Sequence, residues 1–133
     1  MICPMATWDD VRAIALALPE TTEEGLYGQP SWRVRKKLVV WDRPLRKRDL
    51  EELGDAAPDG PILGAKVEHE VAKKALLASE PDIYFTTSHF DGHAIVLVRL
   101  ERISVADLQE LIEEAWLMAA PKRLAKAYLE QHA

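Results

Sequence analysis

The sequence predicts a single domain of the α+β class, and three observations carry that prediction. Apolar residues recur at helical spacing near the start, in the middle and towards the end of the chain. Between them lie short runs rich in β-branched and aromatic residues, which suit strands. The 133 residues contain no repeat, low-complexity tract or linker, so one core is the economical arrangement. With 48% hydrophobic and 29% charged residues, the composition is that of an ordinary globular protein rather than a disordered or fibrous one.

Thr7-Trp8-Asp9-Asp10 reads as a helix start, with Thr7 as the cap and two aspartates in the positive first turn. Val11, Ile14, Ala15 and Leu18 continue at helical spacing until Pro19 ends the run. Residues 20–29 are polar, contain Gly25 and Gly28, and read as a loop. Trp32 and Val34 then alternate with Arg33 and Arg35, as in a half-buried strand with arginines on its wet face. Lys36-Lys37 is expected to turn the chain into a second strand, Leu38-Val39-Val40-Trp41, although a lysine pair is poor chemistry for a tight hairpin. Leu45, Leu50 and Leu53 mark a short helical turn around residues 49–53. Residues 55–61, with two prolines and Gly60, form a connection.

Residues 61–67 are a strand candidate. Glu68, Glu70, Val71, Ala75 and Leu76 predict a helix to about Ser79, closed by Pro81, with His69 in its first turn. The clearest strands cover residues 83–87 and 94–100, joined by a loop with Asp91-Gly92 as its turn pair. Ser104 and Asp107 resemble a capping box with Asp in place of Glu. Val105, Leu108, Leu111, Ile112, Ala115 and Ala119 form the stripe of the helix that follows, and Pro121 opens a last helix to about Gln131. Residues 1–6 are expected to be a loose leader to a domain of residues 7–133.

The charge is unevenly placed. The chain has a net charge of −5, yet Arg33, Arg35, Lys36, Lys37, Arg43, Arg46, Lys47 and Arg48 fall within one short window that holds a single acid, Asp42. The remainder is strongly acidic, so the field has a direction that a polyanion could read. The net negative charge argues against affinity for nucleic acid over the whole surface. No apolar run is long enough to span a bilayer. Met1-Ile2-Cys3-Pro4 lacks the basic start and apolar core of a signal peptide, and Met5 is a candidate natural start. Cys3 is the only cysteine, which precludes an intramolecular disulfide and fits a cytoplasmic location.

Three stretches carry a family resemblance. They are Gly28-Gln29-Pro30-Ser31-Trp32-Arg33-Val34; Tyr84-Phe85-Thr86-Thr87-Ser88-His89-Phe90-Asp91-Gly92, with residues 94–100 following in step; and Glu114-Ala115-Trp116 through Ala120-Pro121-Lys122. From about Thr7 onward the chain resembles the MmcQ/YjbR family of small bacterial proteins. The resemblance implies an antiparallel sheet of about five strands packed against N-terminal, middle and two C-terminal helices, similar to double-wing and frataxin-like arrangements. It also implies DNA binding, a function commonly attached to the family through its fold. The chain departs from the family at His93, where an aromatic often follows the Asp-Gly turn.

Several constellations bear on function. A strand-turn-strand wing displaying the eight basic residues could track phosphates, with Arg giving bidentate contacts and Lys point charges. Trp32 and Trp41 interleave with them, although core packing accounts better for both. His89, Asp91 and His93 would share one side of an extended segment, but the Asp91-Gly92 turn splays them, and no metal site is expected. Serines lack a nucleophile-elbow context and there is no glycine-rich phosphate loop, so neither catalysis nor a cofactor is expected. Neighbouring glutamates such as Glu113 and Glu114 do not face each other on a helix and read as solvated. Lys122, Arg123 and Lys126 begin a helix whose N-terminus favours anions. The expectation is therefore a non-enzymatic protein that binds DNA through the basic wing. The alternative is a small-ligand or protein-partner module with a cleft lined by Trp32, Tyr84, His89 and His93.

Overall fold

A computed structural model describes residues 5–132 of the chain; residues 1–4, with Cys3 and most of the expected leader, and residue 133 lie outside the described part. Met5 and Ala6 are not loose. Met5 bridges to Ser104, the Ala6 amide donates to the Ile103 carbonyl at 3.0 Å, and Ala6 is buried. The fold therefore takes up the last two residues assigned to a leader.

Helix α1 (Trp8–Ala17) begins with the expected box: the Thr7 hydroxyl accepts from the Asp10 amide, and the Asp10 carboxylate accepts from the Thr7 amide. Strand β1 (Thr21–Leu26) follows, where a loop was expected. The polar pattern hid it because β1 is an edge strand with most of its side chains exposed, so no apolar alternation betrays it. Tyr27 and Gly28, both with positive φ, turn it into β2 (Gln29–Val34). A second tight turn leads to β3 (Lys37–Asp42), but its central residues are Arg35 and Lys36, not the expected lysine pair. Their φ values of 46° and 72° suit a two-residue hairpin whose twist matches the strands, with Val34 opposite Lys37. Arg35 thus leaves the strand's wet face and becomes a turn residue.

The short helix α2 (Lys47–Leu53) precedes β4 (Ile62–Lys66), α3 (Glu70–Ser79) and β5 (Tyr84–Phe85). His69 caps α3, its imidazole Nδ1 accepting from the Ala72 amide at 3.1 Å. Strand β6 (Ile95–Arg99), α4 (Val105–Ala119) and α5 (Lys122–Gln131) complete the chain. The Ser104 hydroxyl caps α4 through the Asp107 amide, as expected. Pro121 stands just before α5 rather than inside its first turn.

The sheet has six antiparallel strands in the order β1-β2-β3-β4-β6-β5, one more than the sequence suggested. One face carries Trp32, Val34, Val40, Leu63, Ala65, Val96 and Val98 and packs under α1 and α4. The α4 stripe of Leu108, Ile112 and Trp116 is fully buried there, each aliphatic side chain contributing about 1.5–3 kcal/mol. An irregularity opposite Trp32 and Arg33 lets Val39 and Val40 both reach this core. The opposite face holds a smaller cluster of Trp41, Ile62, Phe85, Phe90 and Leu97, roofed in part by Leu45 and Leu53. Trp41 is seated on Gly64, where an added Cβ would meet the indole at 2.4–2.7 Å. No helix among the described residues is long and apolar enough to cross a membrane.

Candidate anion-binding site

The fold divides the eight basic residues into three groups. Arg43 is only 6% exposed; its guanidinium pairs with the buried Asp49 at 3.0 Å, donates to the Pro44 carbonyl and lies 5.3 Å from the Phe90 ring centre. Burial alone would raise the Asp49 carboxyl. The Arg46 backbone amide and the Arg43 charge outweigh it and hold Asp49 below the ordinary carboxylate range. Arg43 is thus a structural residue and cannot meet a phosphate. Arg35 is exposed but committed: its guanidinium makes a forked contact with Glu20 at 2.8 and 3.0 Å, and that contact lowers the Glu20 carboxyl.

Arg46, Lys47 and Arg48 are exposed where α2 begins, beyond the far end of β3 from the turn. The six residues of β3 put roughly 17 Å between these cations and Lys37. Arg46 lies 5.7 Å from the ring centre of Tyr27, an aromatic that is 86% exposed. The single wing inferred from the linear cluster is therefore two separate cationic surfaces plus two neutralised arginines.

Arg33, Lys36 and Lys37 do converge. They line a groove of about 710 Å³ together with Lys66 at the end of β4 and His93 in the loop before β6. Leu38, Ile95, Val67 and Ala94 supply apolar surface, and Met118 and Ala119 of α4 close one side. Register explains the meeting: Arg33 lies opposite Leu38 and Lys66 opposite Ile95, which gathers these residues at one end of the sheet, beside the end of α4. The Arg33 guanidinium donates to the Lys36 carbonyl at 3.1 Å, which braces the turn. No aspartate or glutamate lines this groove, and none of its four Lys and Arg side chains forms an ion pair among the described residues. Met118 also borders a mainly apolar surface that carries Lys122, Lys126 and Glu130 of α5.

Lys66 was missed by reasoning from the charge window because it lies 18 residues beyond Arg48. Its only sequence signal was a polar residue ending an apolar strand. The expected cleft does not form. Trp32 is fully buried under α1, its indole N–H donating to Glu23 at 3.0 Å. Tyr84 lies on the helix-covered side, facing the space between α3 and α4. His89 packs edge-on against Phe90 in a groove of about 290 Å³ near Arg43, while His93 borders the cationic groove. The four do not meet because Trp32 and Tyr84 lie under the helices on separate strands, while His89 and His93 sit in the connection between β5 and β6.

The YjbR family matches residues 16–118 of the chain. An uncharacterized protein of Mycobacterium bovis is 55% identical over 128 residues, covering 94% of this chain and 97% of its own length. An uncharacterized protein of Mycobacterium tuberculosis strain H37Rv matches with the same figures. The crystal structure of Deinococcus radiodurans protein DR2400, with the family domain DUF419, superposes with a TM-score of 0.65. It is 22% identical, covers 89% of this chain and 81% of its own, and so shares the fold.

Proposed function

The chain belongs to the YjbR family, and from that premise we propose that it binds polyanions, duplex DNA in particular, through the groove of Arg33, Lys36, Lys37, Lys66 and His93. The observation that carries this reading is the absence of any carboxylate among the residues lining that groove, in a protein of net charge −5. Four unneutralised cations on one concavity attract phosphates over a distance set by ionic strength. Arg33, with Nε and Nη1 already donating to Ser31 and the Lys36 carbonyl, can donate to a phosphate through Nη2, while the lysines act as point charges. Trp32 and Trp41 are buried, so contact is with the backbone rather than with base edges or stacked bases. Arg46, Lys47 and Arg48 add to the long-range field from the far end of β3.

The protein acts as a binder in this reading and needs neither a cofactor nor a catalytic group. Two serine hydroxyls are already engaged structurally, Ser31 donating to the Glu24 carbonyl at 2.8 Å and Ser104 capping α4. Cytoplasmic residence suits the DNA target.

Four phosphate contacts give a slope of about −3.6 for log K against log salt, a loss of roughly a hundredfold between about 50 and 200 mM. Fluorescence anisotropy with random duplex and single-stranded oligonucleotides across a salt series measures it. Reversing Lys36 and Lys37 together to Glu should weaken duplex binding more than about tenfold and flatten the slope by about two. Absence of binding at low salt, or binding indifferent to that reversal, would end the proposal.

A further inference from the structure

We propose that the groove between α3 and α4 is a binding site for a linear aliphatic polyamine. This groove, about 640 Å³, has Glu68, Glu80, Asp107, Glu110 and Glu114 on its walls, all exposed. Ala72, Ala75, Leu76, Leu111 and Leu117 give it an apolar lining, and Lys66 is the sole cation lining it. It is distinct from the cationic groove, which none of the five carboxylates lines.

The acidic rim alone would be a solvated surface; Tyr84 makes it a site. Tyr84 is only 5% exposed, lines the groove, and its hydroxyl has no hydrogen-bond partner among the described residues. The hydroxyl is not one of the buried, orphaned polar atoms, so the small exposed part of this side chain presents it to the groove, free to accept from an occupant. The charges around it specify the ligand's sign. Burial first, then Glu80, Asp107, Glu110 and Glu114, push the Tyr84 hydroxyl up to about 12. Burial and the neighbouring Glu110, Glu68 and Glu113 likewise raise Glu114. An ammonium group placed there relieves that repulsion and donates to the phenol oxygen.

Spacing specifies the ligand's shape. Asp107, Glu110 and Glu114 follow one another along α4 with axial steps of about 4.5 and 6 Å. Ammonium groups joined by three- and four-carbon chains step at a comparable interval, and the methylenes between them cover the Leu76, Leu111 and Leu117 surface. A metal ion would use the carboxylates and leave that apolar surface wet. A diamine would engage part of the row, and a triamine all of it.

Isothermal titration of the full chain with spermidine, putrescine and magnesium chloride at matched ionic strength tests this. Saturable one-site binding of spermidine is expected, tighter than putrescine and far tighter than magnesium. Replacing Glu110 and Glu114 together with Gln should weaken spermidine at least tenfold. Both side chains are exposed, so the fold should survive, as circular dichroism will show. Tyr84→Phe keeps the ring and should weaken spermidine severalfold. Equal response to magnesium and spermidine, undiminished affinity in the double variant, or binding only of an oligolysine peptide would each overturn the assignment. Since Glu110 and Glu114 do not line the cationic groove, these results are independent of DNA binding.

Discussion

Replacing Arg43 with methionine separates charge that holds the fold from charge available to a ligand. The Arg43–Asp49 pair is 3.0 Å long with both side chains under a tenth exposed. At an effective dielectric of about 20, its Coulomb attraction is about 5–6 kcal/mol before desolvation is subtracted. Methionine fills similar volume but leaves the Asp49 carboxylate buried without its counter-charge, the Arg46 amide still donating to it. Stranding one member of a buried pair costs about 3–5 kcal/mol. In urea, with a slope of about 2 kcal/mol/M, the unfolding midpoint should fall by about 1.5–2.5 M. DNA affinity measured on the folded variant should stay within about twofold of the parent, the size of a minor field change.

The pH dependence carries the same signature. The folded-state pKa of Asp49 is depressed, so its contribution is present above the unfolded value of about 3.9 and fades as pH falls through the lower folded value. The variant should lose less stability than the parent over that acidic interval. A destabilisation under about 1 kcal/mol, or a DNA defect as large as that from reversing Lys36 and Lys37, would refute the structural role assigned to Arg43.

Two other substitutions test the packing around the sites. Gly64→Ala places a methyl within 2.4–2.7 Å of the Trp41 indole, well inside ordinary contact, so the ring must tilt off the sheet. The expected cost is about 1–3 kcal/mol with a red-shifted tryptophan emission, and an unchanged midpoint and spectrum would mean the indole is not seated there. Lys73 is buried and donates to the Phe90 and His93 carbonyls at 2.8 and 2.9 Å, pinning residues 90–93. Lys73→Met should cost about 1–3 kcal/mol and speed amide exchange across that segment, and protection equal to the parent's would contradict the pinning.

The two grooves carry opposite charge and share Lys66, Val67 and Met118 as a common border. Positive and negative charge are thus separated between these two grooves. That segregation lets a protein of negative net charge offer a cationic face.

Much of this was legible in residue order. Thr7, Ser104 and Pro19 bound their helices by local hydrogen bonding and steric exclusion, which a neighbouring side chain or ring supplies without tertiary help. The apolar runs of β4 and β6 and the α4 stripe announced themselves because burial on one or both faces demands that pattern. The polar edge strand β1 did not, since its ladder to β2 is made by backbone groups that carry no residue signature. Nor could the spacing of lysines and arginines reveal which were free. Arg35 found Glu20 and Arg43 found Asp49 because folding brought those carboxylates within reach.

By itself, then, the chain determined its helices, its principal strands, its α+β class and the sign of its charge clusters, all consequences of short-range geometry and of burying apolar surface. Only the tertiary structure decided which charges survive as charges. Neutralisation, burial and the meeting of Arg33 with Lys66, or of Glu80 with Glu114, depend on strand register and helix placement across distances the linear order does not encode.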